Sequence, residues 1–156
     1  MTTYNDIPAD ILIDGLVEKL SPMKAIEEPE WAAFVKTGTH RERPPNQDNW
    51  WVIRSAAVFR KVAFKGPIGV NHMSQEFGGP RDRGVKPNRA AAGSRNIART
   101  ILQQLSESGL IISTFNKAGT VNYGKVLTPE GHKLINNVAH SVRDIAEAKY
   151  PGLSNY

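Results

Sequence analysis

Residues 48–65 form the stretch that most constrains this chain. From Asp48 to Lys65 there is neither glycine nor proline, and the only charges after Asp48 are Arg54, Arg60, Lys61 and Lys65. Asp48 reads as an N-cap and Gly66-Pro67 as a stop, so the segment predicts one helix over 48–65. At about 100° per residue, Arg54, Lys61 and Lys65 fall within roughly 40° of one another. Trp51, Val52, Ile53, Ala56, Ala57, Val58, Phe59, Val62, Ala63 and Phe64 fill most of the remaining circumference. Such a helix is buried on most sides, so other helices must pack around it. Trp50 lies at the edge of the basic stripe. Arg60 lies off it, in a lane beside Ala56 and Ala63. The basic edge is either solvated or set against a polyanion.

Charge is unevenly placed. Residues 1–35 carry a net −5, residues 36–99 a net +9 and residues 100–156 a net +1. An asymmetry of this kind points the middle third toward a polyanionic partner. The 156 residues contain no cysteine, which excludes disulfides, thiolate zinc sites and cysteine nucleophiles. No apolar run reaches the length of a membrane span. The start, Met-Thr-Thr-Tyr-Asn-Asp, lacks the basic and apolar regions of a signal peptide. A soluble, cytoplasmic protein without membrane contact is therefore expected.

Along the chain, residues 7–20 predict an amphipathic helix capped by Asp6, with Pro8 in its first turn. Ala9, Leu12, Ile13, Leu16, Val17 and Leu20 make its apolar stripe, and Asp10, Asp14 and Glu18 a solvated acidic row. Pro29 opens a short second helix, with Trp31, Phe34 and Val35 facing inward. Residues 38–47 are a loop by composition, in which Arg41 and Arg43 touch a phosphate or are simply solvated. Val70–Phe77 predicts a short helix, and 81–89 a basic loop too polar for the core. Ser94 caps a helix to Ser108, with Ile97, Ala98, Ile101, Leu102 and Leu105 on one face and Arg95, Arg99 and Gln103 on the other. Residues 110–114 predict a strand, 116–124 a hairpin tip and 125–127 the return strand. Thr128-Pro129 opens a last helix with Leu134, Ile135, Val138, Val142 and Ile145 as its stripe. The tail from Tyr150 has no pattern.

From residue 48 onward the order is three helices, a strand, a hairpin tip, a strand and a helix. That order describes a mainly α, winged-helix-like domain built around the central helix, with a small β-hairpin wing and an extra N-terminal helical segment. A single domain over 1–156 is expected: N-terminal helices 1–47, core 48–148 and flexible tail 149–156. Signals for an enzyme, a metal or a cofactor are missing. His40, His72, His132 and His140 lack metal-binding spacing. Ser55 has no assignable basic partner and is expected to bond the preceding turn.

Several separated motifs then stand in a recognisable order. They are Pro29-Glu30-Trp31, Asp48-Asn49-Trp50 with Arg54-Ser55-Ala56-Ala57 and Arg60, and Gly66 to Val70. They continue with Gly78-Gly79-Pro80-Arg81, Arg83-Gly84-Val85 with Pro87, Gly93-Ser94-Arg95 with Ala98-Arg99, and Leu127-Thr128 with Gly131. Over roughly residues 5–147 the chain resembles the archaeal and eukaryotic small-subunit ribosomal proteins of the nineteen-e family. Segment 113–124 is longer and more polar than that family's wing, and the tail after Tyr150 is extra.

The resemblance implies a place in the head of the small ribosomal subunit, the subunit's ribosomal RNA as main ligand, neighbouring small-subunit proteins as partners and a role in subunit maturation. It carries Arg54, Arg60, Arg81, Arg83, Arg95 and Arg99 over as RNA-binding residues. Lys61, Lys65, Lys86 and Arg89 join them by charge and spacing. The free protein is expected to be a monomer. The rival reading is a winged-helix DNA-binding transcription regulator with helix 94–108 in a major groove. Against it, the basic charge lies largely on the central helix and on loop 79–95.

Overall fold

The computed structural model describes residues 2–155, with side chains to Leu153. Met1 and Tyr156, the ends of the expected domain and tail, lie outside the described residues. The architecture is mainly α and winged-helix-like. Helices α1 (Ala9–Leu20), α2 (Trp50–Lys65), α3 (Val70–Glu76) and α4 (Arg95–Glu107) are followed by the wing strands. These strands are residues Ile111–Phe115 and Asn122–Leu127; α5 (Pro129–Ser141) and α6 (Arg143–Lys149) come after them. A second antiparallel hairpin, β1 (Gly79–Arg83) with β2 (Lys86–Ala91), lies between α3 and α4, so the wing strands are β3 and β4.

Helix α2 is the centre of the core. Trp51, Ala56, Val58, Phe59 and Val62 are essentially inaccessible, and Trp50 is also buried. The Trp51 indole N–H donates to Gln104 Oε1 at 3.0 Å, and Gln104 Nε2 donates to the Glu27 carbonyl at 2.6 Å. One buried polar edge is thereby satisfied through α4 as far as the N-terminal segment. Trp31 meets Trp51 edge-on at 5.6 Å. Ser55 Oγ donates to the Trp51 carbonyl at 2.9 Å, the expected bond to the preceding turn. Helix α1 lies across α2 and α5. A Cβ on Gly15 would stand 2.8 Å from Val142 and 2.9 Å from Val138, so α5 approaches α1 over a bare backbone.

Several local expectations differ from the observed structure. Asp48 does not cap α2: the helix starts at Trp50, and no side chain at its N-cap Asn49 makes a capping bond. Nor does Asp6 cap α1. Its carboxylate turns back to accept from Thr3 N at 2.7 Å and Thr3 Oγ1 at 2.9 Å, because Pro8 itself occupies the N-cap. The second helix is 3-10, Glu30–Phe34, and its tighter winding leaves Phe34 88% exposed instead of inward. Phe64 is 43% exposed near the end of α2, beyond the cover of neighbouring helices. The last helix breaks at Val142, whose φ of −97° and ψ of 3° shift the register. Ala146 is buried as a result and Ile145 is exposed. Pro151–Asn155 forms a short 3-10 helix in the tail, with Leu153 packed on the core.

The basic loop 81–89 is also a correction, since it lies within a hairpin. Gly84, at φ 69°, opens the two-residue turn between β1 and β2, and Asp82 Oδ1 accepts from Gly84 N at 2.9 Å. Glycine at the first turn position is what a tight hairpin of this hand requires. Elsewhere the local signals hold. Ser94 Oγ accepts from Ile97 N, Thr128 Oγ1 accepts from Gly131 N, and the five expected apolar residues of α4 are buried. The return strand is longer than expected, reaching back to Asn122. Gly124, at φ 128°, packs against the Ile68 backbone, and Ile68 and Lys125 exchange both backbone hydrogen bonds. That bridge fixes the wing beside the end of α2.

Candidate nucleic-acid interface

The basic edge of α2 divides into paired and unpaired cations. Lys61 Nζ lies 2.8 Å from Glu76 Oε2 and Lys65 Nζ 2.7 Å from Glu76 Oε1. The hydrogen bonds from Lys61 and then Lys65 pull the Glu76 carboxyl down to about 2. Glu76 ends α3, so α3 is tied to α2 through these two lysines. Arg54, on the same stripe, has no carboxylate partner among the described residues. Its guanidinium stacks 4.4 Å above the Phe77 ring, and Lys61 Nζ is 5.9 Å from that ring. Burial, and then the charge of Arg41, holds the Arg54 guanidinium below its ordinary value.

Arg41 and Arg43 join Arg54 around one concavity whose apolar wall is Trp50, Ile53 and Phe77. Three arginines converge there with no acid on the lining. Sequence reasoning left Arg41 and Arg43 undecided and missed Phe77. The available signal was an aromatic at the end of α3, between a basic helix and a basic loop. His40 lies beneath the start of the hairpin, against Gly79, and its Nδ1 is buried without a partner. Burial first, then Arg41 and Arg54, lowers its pKa.

The hairpin carries four more of the predicted residues. The register sets Arg81 directly opposite Arg89, and Arg83 opposite Lys86, with a bulge between the two rungs. Both rungs are like-charged, which opposes strand pairing in the absence of an anion. The side chains on them are largely exposed, and Val85 at the tip is fully exposed. Arg95 and Arg99 stand on the outer face of α4, and neither is ion-paired among the described residues. Arg54 also borders Ser94, Ile97 and Ala98, which connects the α2 edge to the start of α4.

Arg60 is set apart. Its guanidinium stacks 4.4 Å from the Phe64 ring, and its Nε is buried without a hydrogen-bond partner. Tyr4 meets the same ring edge-on at 5.2 Å. The lane beside Ala56 and Ala63 is thus occupied by aromatic contact and not by an acid. In all, among the described residues eight of the ten predicted cations lack an intrachain carboxylate, the exceptions being Lys61 and Lys65.

Among the described residues no three His, Asp or Glu side chains are placed to hold a metal ion. His132 and His140 are exposed, and Asn136 between them accepts from Tyr4 N at 3.3 Å. No described helix is long and apolar enough to cross a membrane.

Comparison with known proteins identifies the family. The family model described as Ribosomal protein S19e matches residues 3–145. The small ribosomal subunit protein eS19 of Thermoplasma volcanium is 39% identical over 142 residues, covering 91% of this chain and 90% of that protein. The protein of the same name from Haloarcula marismortui is 38% identical over 160 residues, covering 100% and 99%. A eukaryotic relative, small ribosomal subunit protein eS19B of Schizosaccharomyces pombe, is 27% identical over 145 residues, covering 93% and 97%. With the family model spanning nearly the whole chain and relatives above a third identity end to end, the chain belongs to the S19e family of ribosomal proteins.

Proposed function

We propose that this chain is a structural, non-catalytic component of the small ribosomal subunit. It binds ribosomal RNA in the subunit head, contacts neighbouring subunit proteins and supports subunit maturation. It does so in the cytoplasm as part of the ribosome, and it is a monomer when free. The observation that carries the reading is the run of unpaired cations from Arg54, through the β1–β2 hairpin, to Arg95 and Arg99. Phosphates supply the anions that this run lacks within the chain. Arginine can fork two phosphate oxygens or stack on an unpaired base, so shape and charge suffice without sequence reading.

Sedimentation tests it. In a low-salt lysate the protein should travel with the small subunit, and a variant with Arg81, Arg83, Lys86 and Arg89 all changed to alanine should shift toward free protein. Wild-type protein that stays at the top of the gradient and binds duplex DNA instead would support the transcription-regulator reading.

A further inference from the structure

A groove between α4 and the wing lies apart from the cations considered so far, except for Arg99. Ile68, Val70 and Leu102 form its apolar floor. Arg99 and Gln103 rise from α4 on one side, and Tyr123 and Lys125 from β4 on the other. No carboxylate lines it. Tyr123 lines this groove and is 57% exposed. Lys125 Nζ is held by Ser106 Oγ at 3.1 Å, whereas Arg99 and Gln103 make no side-chain bond within the described residues. Asn122 also lines the groove; its Oδ1 accepts from Gly124 N at 2.9 Å, and its amide NH2 has no partner among the described residues.

We propose that this groove binds one unpaired nucleobase of an RNA strand, stacked on Tyr123. The proposal rests on the RNA-binding reading above and adds a site to it. An apolar floor with a few convergent polar groups is the usual form of a small-molecule-sized pocket. An aromatic platform takes any base by its π face. The free amides of Gln103 and Asn122 face the base edge, and Arg99 takes the flanking phosphate. A base inside a duplex cannot present its face, so the occupant is single-stranded. An apolar peptide would leave Arg99 and both amides unpaired against it, which is costly. The charge of the lining therefore selects nucleic acid over an apolar protein segment.

The test uses the full chain and two RNA probes. One is a stem-loop with 2-aminopurine in a single-stranded loop, and the other a blunt duplex of equal length. Wild type should quench the 2-aminopurine on binding. Tyr123→Ala should weaken stem-loop binding about tenfold, abolish the quenching and leave duplex binding within about twofold. Tyr123→Phe should behave as wild type, because the ring and not the hydroxyl forms the platform. Gly69→Leu is a second, independent variant. Gly69 lines the groove, and a Cβ there meets nothing within 4 Å. The added side chain should fill the site and reproduce the Tyr123→Ala effect without unfolding the chain.

Tyr123→Ala weakening both probes equally, or neither, would overturn the proposal while leaving RNA binding intact. Unchanged RNA binding with lost association to purified small subunits would also overturn it and assign the groove to a protein segment. Wild type that binds neither probe would remove the RNA-binding reading and this site together.

Discussion

Two neighbours on α2 separate core from surface. Phe59 is fully buried, so Phe59→Ala should leave a cavity and cost about 3–5 kcal/mol by denaturant unfolding. Trp51→Ala should cost a similar amount and also strand Gln104, whose partner is the indole N–H. Arg60, one residue on, is half-buried over Phe64, so its replacement is not a pure surface change. Arg60→Gln should lower stability by about 0.5–2 kcal/mol, the range of a cation–π contact. If Arg60 also meets phosphate, the same variant should reduce the salt slope of RNA binding by about one. An unchanged slope would make Arg60 structural alone.

Glu76 makes a pH prediction with a definite sign. Its carboxyl is held at about 2 in the folded chain against an ordinary 4.5. The unfolded chain binds that proton more tightly, so the contribution is present above the ordinary value and lost as pH falls toward about 2. Glu76→Gln should therefore lose stability at neutral pH and show a shallower acid limb in circular dichroism. His40 acts earlier on the same side. Its folded value lies below its ordinary 6.5, so stability is kept above that value and falls as the solution is acidified through it.

At the scale of an element, the β1–β2 hairpin is a two-stranded ribbon with both rungs like-charged and most of its side chains in water. A lone two-stranded hairpin is marginal in water. Its amides should exchange with deuterium faster than those of α2 and α4, and slow when RNA is added. Arg89→Glu places an acid opposite Arg81. It should slow hairpin exchange in the free protein and at the same time weaken RNA binding. Faster exchange in that variant would show that the like-charge rung does not strain the ribbon.

At the scale of the whole molecule, affinity for a small-subunit rRNA head fragment should fall steeply as salt rises, since each neutralised phosphate releases counterions. A flat response between low and moderate ionic strength would rule out phosphate-dominated recognition. The hairpin quadruple-alanine variant should lower that affinity and leave the thermal midpoint almost unmoved, because its four side chains are outside the core.

The sequence alone determined the framework, because its signals are local. An uninterrupted apolar stretch must be enclosed, and Ser94 and Thr128 cap the helices that follow them. Periodicity marked the buried face of α4, and the ordered motifs pointed to the family. Where local signals misled, either a competing local feature or a segment distant in the chain decided. Asp48 and Asp6 have good capping chemistry, but the chain enters both helices beyond them. Phe34 and Ile145 are as apolar as any core residue, yet a 3-10 turn and the break at Val142 carry them outward. The basic stripe of α2 read as one surface. Glu76, brought back by α3, neutralises Lys61 and Lys65, while Phe77 and the arginines of loop 38–47 gather at Arg54. Charge is written in composition, but whether a cation is paired depends on which chain segment folds against it.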